Sequence, residues 1–67
     1  MAIPLLIKAL EETDKDLVRQ EVSAALGAIG GPAKAAIPIL EKTAQETESP
    51  VVRAAAEDAL RKIRAAK

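Results

Sequence analysis

Apolar residues recur along the chain with the period of an α-helix. Two segments place them at i, i+3, i+4 and i+7, which puts them on one helical face. These first stripes are Ile3, Leu6, Ile7 and Leu10, and later Ile37, Leu40 and Ala44. Each is followed by a second stripe: Val18, Val22, Ala25, Leu26 and Ile29, and then Val52, Ala56, Ala59, Leu60 and Ile63. The pattern predicts four helices, and we expect each second helix to turn its stripe towards the first.

Polar turns separate the helices of each pair, at residues 12–16 and 46–50. Ser49 before Pro50 is typical of a helix start, because a serine oxygen accepts a free backbone N–H and proline has none to lose. We expect Asp14 to cap the corresponding helix in the first half of the chain. These turns predict that the two helices of a pair run antiparallel.

Glycine and proline mark the boundary between the two helix pairs. Gly30 is expected to provide the left-handed residue that ends the second helix, and Gly31 and Pro32 follow it. Pro38 lies about six residues inside the third helical segment, where proline removes a backbone donor and crowds the preceding turn. We therefore predict a kink or a 3₁₀ break at residues 35–37.

The two helix pairs are copies of one repeat. An offset of 34 residues aligns 2–33 with 36–67 without a gap and with twelve identical pairs. The pairs are Ala2/Ala36, Ile3/Ile37, Pro4/Pro38, Leu6/Leu40, Lys8/Lys42, Glu12/Glu46, Thr13/Thr47, Val18/Val52, Arg19/Arg53, Ala25/Ala59, Leu26/Leu60 and Ile29/Ile63. Such a period is characteristic of helical repeat proteins. We define the first repeat as residues 2–33 and the second as 34–67, within one domain of residues 1–67.

Composition argues against catalysis. The chain has no Cys, His, Trp, Tyr or Phe, and ten Lys and Arg balance ten Asp and Glu. The chain therefore lacks a thiolate nucleophile, the side chain most used as a general base near neutral pH, Cys and His ligands for zinc, and any base-stacking platform. We expect no enzyme activity, no catalytic residue, no cofactor and no metal site. Ser23 has no basic residue placed to activate it.

The charged clusters have ordinary structural explanations. The acidic pairs Glu11–Glu12, Asp14–Asp16 and Glu57–Asp58 do not converge as a hard-cation site requires. The basic run of Arg61, Lys62, Arg64 and Lys67 complements the negative end of a helix dipole and is expected to act as a polar cap. We expect no nucleic-acid partner and no membrane contact, and the absence of a leader or an apolar span favours a cytoplasmic chain.

The segments AIPLLIKAL, LVRQEVSAALGAIG and GPAKAAIPIL resemble HEAT repeats, in particular HEAT-like repeats of the phycobilisome-lyase type. The resemblance implies an all-α fold, an α-solenoid of two antiparallel helix pairs. It also implies that Arg19 and Arg53 are structural and hydrogen-bond to acidic turn residues such as Asp14, Asp16 or Glu48. In this family the second helices line a concave surface that binds other proteins.

The resemblance places a protein-binding surface on the side of the second helices opposite their apolar stripes. Its candidate residues are Leu17, Gln20, Glu21, Ala24, Val51, Ala54 and Asp58. A solvated face rich in helix-forming alanine explains the same pattern without a partner. The structural residues of the prediction are Arg19, Arg53, Asp14 and Pro38.

Two repeats are fewer than the three or so that a solenoid normally needs to bury its apolar faces. The chain is therefore interpreted as part of a longer array, an engineered repeat unit, or a chain that pairs with a second copy. Self-association is expected by end-to-end stacking or by exchange of a helix pair, with Leu5, Ile7 and Leu10 as exposed contacts. The leading hypothesis is a non-catalytic protein-interaction or scaffolding module; the alternative is a self-associating or engineered structural unit without a ligand of its own.

Overall fold

The protein is described here by a computed structural model covering residues 3–66. Within these residues the chain forms α1 (Ile3–Glu12), α2 (Asp16–Ile29), a 3₁₀ segment (Gly31–Ala36), α3 (Ile37–Glu46) and α4 (Pro50–Ala65). The molecule measures 31 × 21 × 16 Å along its principal axes. The described part of the chain is thus all-α, with two helix pairs, as the apolar periodicity predicts.

Each second helix begins after a tight polar turn held by a threonine. The Oγ1 atoms of Thr13 and Thr47 accept the backbone N–H two residues on, at 3.1 Å in both turns. Ser49 then caps α4, since its Oγ accepts the N–H of Val52 at 3.2 Å. The predicted serine cap is confirmed.

Asp14 does not cap α2, so this prediction was wrong. The helix begins at Asp16, and the residue before it, Lys15, is extended and makes no side-chain cap. The side chain of Asp14 is exposed. The physical reason is position: a capping oxygen must lie at the residue just before the helix, and Asp14 is one residue too early.

The link between the two helix pairs combines a special glycine with a short 3₁₀ helix. Gly30 has φ of 77°, a value that side-chain-bearing residues rarely adopt, and its N–H donates to the carbonyl of Leu26 at 3.2 Å. The 3₁₀ segment ends at Ala36, and Pro38 sits in the first turn of α3. A proline there breaks no internal hydrogen bond, so the predicted 3₁₀ break is confirmed.

The core lies between the four helices and the 3₁₀ segment, each of which contributes buried residues. Leu26, Leu40, Val52 and Ile63 are each 0% exposed, and complete burial of such a side chain stabilises the fold by about 1.5–3 kcal/mol. The predicted stripe of α4 is buried along its whole length. Where α2 and α4 pack together, Gly27 lies directly against Ala59.

Ile29 departs from the predicted inner stripe of α2. It is 38% exposed, whereas Val22 and Leu26 of the same stripe are buried. Ile29 lies at the end of α2, on a side of the helix that the second repeat does not cover. The 3.6-residue period locates the apolar stripe correctly, but it does not indicate how far along the helix a neighbouring helix packs against that stripe.

No helix of residues 3–66 is long and apolar enough to cross a membrane.

Candidate functional site

The predicted protein-binding residues lie on the outer sides of α2 and α4, which we call the second-helix face. Its members are Leu17, Gln20, Glu21 and Ala24 on α2, and Val51, Ala54 and Asp58 on α4. Five of them are exposed, whereas Gln20 and Asp58 are half-buried. The face therefore consists of accessible side chains carried on two helices that pack directly against one another.

Two aliphatic side chains stand out on this face. Leu17 is 65% exposed and Val51 is 54% exposed. Both lie in the first turn of their helices, at equivalent positions of the two repeats. Exposed side chains of this size at repeated positions are available for contact with another molecule.

The polar groups of the second-helix face carry weak interactions only. Asp58 accepts from Lys62 at 3.0 Å and from Arg61 at 3.6 Å, one turn further along α4. All three side chains are substantially exposed, so such pairs contribute between 0 and about 1 kcal/mol. A partner that contacts Asp58 can replace these ion pairs at little cost in free energy.

Arg19 and Arg53 hold the turns that precede α2 and α4. Arg19 donates from Nη2 to the carbonyl of Thr13 at 2.9 Å and from Nη1 to Asp16 at 3.2 Å. Arg53 donates from Nη2 to the carbonyl of Thr47 at 2.8 Å and from Nε to that of Ala44 at 3.3 Å. Each arginine thus bonds to the turn of its own repeat; the structural role that the resemblance implies stays a prediction.

The partners of these arginines correct part of the prediction. Arg19 pairs with Asp16, but its other bond goes to a backbone carbonyl and not to Asp14. The hydrogen bonds of Arg53 go to carbonyls, and not to Glu48. Carbonyls left free at the ends of α1 and α3 need donors, and the guanidinium of Arg53 reaches two of them at once.

An open groove between α1 and α3 was missed by the sequence analysis. It encloses about 740 Å³ and runs to the turns that follow both helices. Ile7, Leu10 and Ile39 form its apolar part, and Glu46 and Lys42 are among its charged residues. No residue pattern in the sequence indicated it, because a groove between two helices depends on how they pack.

The residues expected to mediate self-association differ in exposure. Leu5 is 70% exposed, Ile7 is half-buried in the groove, and Leu10 is 3% exposed. Leu10 was wrongly predicted as a contact residue, because it belongs to the core of the molecule itself.

The described side chains form no arrangement typical of a catalytic or metal site. Ser23 is buried, and its Oγ has no hydrogen-bond partner among residues 3–66. No group of three or more Asp and Glu in that range is placed to hold a metal ion. In the basic run, Arg64 forms an ion pair with Glu41 on α3, and Lys67 lies outside the described residues.

Comparison with known proteins identifies a family. A family model of HEAT repeats matches residues 1–61. It does not specify the phycobilisome-lyase type, which stays a resemblance. No curated protein and no solved structure matched the chain. The family match covers nearly the whole chain and agrees with the two stacked helix pairs, so the chain belongs to the HEAT repeat family.

Proposed function

We propose that the chain is a non-catalytic protein-interaction module that binds its partner with the second-helix face. HEAT repeats generally mediate contacts between proteins, and the exposed residues of α2 and α4 give this chain a surface suited to that role. The observation that carries the proposal is the exposure of Leu17 and Val51 at equivalent positions.

Comparison of the two repeats indicates that the exposure of Leu17 and Val51 does not result from a missing neighbouring repeat. Val51 lies in the second repeat, whose inner side is covered by the first, yet it remains 54% exposed. Leu17, at the same position of the first repeat, is exposed to a similar extent. Leu17 and Val51 therefore lie outside the core and outside the contact between the two repeats. Neither the core nor that contact needs an aliphatic side chain at these positions.

The chemistry of the face favours a partner with an apolar contact surface. Ala24 and Ala54 are small and exposed, so another helix or strand can approach α2 and α4 closely beside the two larger side chains. Glu21 and Asp58 add carboxylates at the edge, where polar groups give specificity at small cost. These features support protein binding over binding of a small molecule, for which an enclosed apolar pocket is usual.

The proposal is tested with two matched double variants. Binders are selected on the parent chain from a displayed library of natural protein fragments, and their affinities are then measured by titration. L17S/V51S is expected to weaken binding about thirtyfold, the effect of losing two contacts of roughly 1 kcal/mol each. L5S/I29S removes two exposed aliphatic side chains elsewhere and is expected to bind like the parent. Unchanged affinity in L17S/V51S, or equal losses in both variants, would contradict the proposal.

A further inference from the structure

The open groove between α1 and α3, which we call the α1–α3 groove, is a surface separate from the second-helix face. Ile7 and Leu10 of α1 line one wall, and Ile39 of α3 lines the other. Each of the two repeats thus supplies one wall, and the groove is formed where the repeats meet.

The middle of the groove is apolar. Leu10 is 3% exposed and lies at its base, and Ile7 and Ile39 are half-buried beside it. Pro38 and Ala35 are exposed and extend the apolar lining outwards. The volume of about 740 Å³ has room for several aliphatic side chains of another molecule, and their removal from water favours binding.

The groove carries more negative than positive charge, although the chain as a whole is neutral. Its charged lining residues are Glu11, Asp16, Glu46 and Glu48, against Arg19 and Lys42. Asp16 and Arg19 form an ion pair with each other at 3.2 Å, so their charges largely cancel. The three glutamates are exposed and form no ion pair within residues 3–66. They are available to a cationic ligand.

These glutamates lie towards one end of the groove, where α1 and α3 finish. Glu46 follows Ile39 by two helical turns, about 10 Å along α3. Glu11 follows Ile7 by one turn on α1. Neither helix has a basic residue in its last turn, so the negative ends of two helix dipoles add to the carboxylates there. The groove is therefore apolar in the middle and acidic at the end that reaches the turns.

The hydroxyl groups of the lining are already engaged within the chain. Thr43 donates to the carbonyl of Ile39 at 2.8 Å, and the side-chain oxygens of Thr47 and Ser49 accept backbone N–H groups. Carboxylates are consequently the main polar groups left for a ligand, and they bind ammonium or guanidinium groups in preference to neutral donors.

From the apolar middle and the acidic end together, we infer that the α1–α3 groove binds a basic amphipathic segment of another protein. Aliphatic side chains one helical turn apart contact Ile7, Leu10 and Ile39, and a lysine or arginine about two turns further on reaches Glu46. This is the way an amphipathic helix lies in a groove. Ion pairs to exposed carboxylates are individually weak and screened by salt, so the affinity is modest and falls as salt is added.

A synthetic peptide tests the inference without knowledge of the natural partner. The probe is a fluorescein-labelled helix of leucine and lysine, about four turns long, with its leucines on one face. Titration with the protein at low salt, followed by fluorescence anisotropy, is expected to show saturable binding. A peptide with glutamate in place of every lysine should not bind. A scrambled leucine–lysine peptide, which lacks the apolar face, should bind more weakly, and so should the polyamine spermine.

Three single variants of the protein test the role of charge in the groove. Glu46→Gln is expected to weaken peptide binding about threefold, the effect of one exposed ion pair. Lys42→Gln removes a like charge and should strengthen binding by a similar factor. Glu57→Gln, the same change at an exposed glutamate of α4 outside the groove, is the matched control and should bind like the parent. All three side chains are exposed, so circular dichroism should show unchanged helicity.

Amide chemical shifts locate the bound peptide. They should change at Ile7, Leu10 and Ile39 and stay constant at Leu17 and Val51. Changes confined to Leu17 and Val51 would overturn the inference and support the second-helix face instead. Conversely, binding in the groove gives no information for or against partner binding on that face, so the two proposals fail separately.

Four results of the titrations would also overturn the inference. These are a leucine–lysine peptide that does not bind, a glutamate peptide that binds as tightly as the lysine peptide, spermine that binds as tightly as the peptide, and equal effects of Glu46→Gln and Glu57→Gln. The first two would remove the charge complementarity, the third would remove the apolar contribution, and the fourth would remove the groove as the binding site.

Discussion

Gly27 of α2 lies directly against Ala59 of α4. A Cβ atom added to Gly27 would lie 3.0 Å from the Cα of Ala59 and 3.2 Å from its Cβ. Gly27 is buried and lies two residues before the end of α2. A glycine inside a helix is unfavourable by roughly 0.5–1 kcal/mol relative to alanine, so its presence here is explained by the close approach of α4.

Gly27→Ala is therefore expected to destabilise the protein by about 1–2 kcal/mol, although alanine is the better helix former. The added methyl group meets backbone, and α2 and α4 must move apart to accept it. Urea unfolding followed by circular dichroism measures the change. Ala24→Gly, on the exposed side of α2, is the control for helix propensity and should also cost about 0.5–1 kcal/mol. A Gly27→Ala protein more stable than the parent would show that the two helices are not held this closely.

Ile63 and Ile29 give a second test, because the same residue occupies equivalent positions in different environments. Ile63→Ala is expected to cost about 2–5 kcal/mol, the range for truncation of a fully buried isoleucine. Ile29→Ala should cost less than about 1 kcal/mol, because a large part of this side chain is already in water. Urea unfolding of both variants is followed by circular dichroism at the same protein concentration. Similar losses in both variants would mean that the two repeats are covered equally.

We expect the hydrogen bonds from Arg53 to backbone carbonyls to contribute more to stability than the ion pair between Arg19 and Asp16. Arg53→Ala should lower the free energy of unfolding by about 1–2 kcal/mol, because the carbonyls of Ala44 and Thr47 lose a charged donor. Arg53→Lys should recover only part of this loss, since an ammonium cannot reproduce the planar fork of a guanidinium. Asp16→Asn should cost less than about 0.5 kcal/mol, because the Arg19–Asp16 pair is exposed. A larger effect for Asp16→Asn than for Arg53→Ala would reverse this order of importance.

Ser49 and Asp14 test the assignment of the helix cap. Ser49→Ala is expected to cost about 1 kcal/mol, the usual effect of removing an N-cap oxygen. Asp14→Ala should change stability by less than about 0.5 kcal/mol, because Asp14 is an exposed turn residue that caps nothing. Thermal unfolding of the two variants is sufficient for this comparison. A cost for Asp14→Ala equal to that for Ser49→Ala would restore Asp14 as a cap.

Ser23 is buried and its hydroxyl has no hydrogen-bond partner within residues 3–66, so removing this hydroxyl is expected to stabilise the protein. Ser23→Ala should raise the free energy of unfolding by about 1 kcal/mol, because a buried polar group without a hydrogen bond is costly. Thr43→Val is the contrasting variant, since the Oγ1 of Thr43 donates to the carbonyl of Ile39 at 2.8 Å. It should lower stability by about 1 kcal/mol. Destabilisation by Ser23→Ala would indicate that its hydroxyl has found a partner, such as a bound water.

The helices and their caps were predictable where a local rule decides the outcome. The apolar period located all four helices, the Ser49–Pro50 pair marked the start of α4, and Pro38 marked the 3₁₀ break. Asp14 shows the limit of such rules, because a shift of one residue in the helix start removes a cap. The choice between Thr13, Asp14 and Lys15 depends on geometry that their residue types do not contain.

Tertiary contacts account for the remaining differences. The exposure of Ile29 depends on which elements cover the end of α2, and an apolar period carries no information about that. The bonds of Arg53 go to backbone carbonyls, which every residue has, so no residue type indicates them. The contact at Gly27 likewise requires the position of α4. The candidate binding residues followed from the family resemblance, and their partner remains a proposal.

Solvent accessibility of individual methyl groups tests most directly whether the stacked repeats leave Leu17 and Val51 free for a partner. The measurement is the relaxation of assigned methyl resonances by a soluble paramagnetic probe, recorded on the parent chain. The methyl groups of Leu17 and Val51 should relax strongly, and those of Leu26, Val52 and Ile63 should be protected. Protection of Leu17 and Val51 equal to that of Leu26 would contradict the account, because the second-helix face would then already be covered.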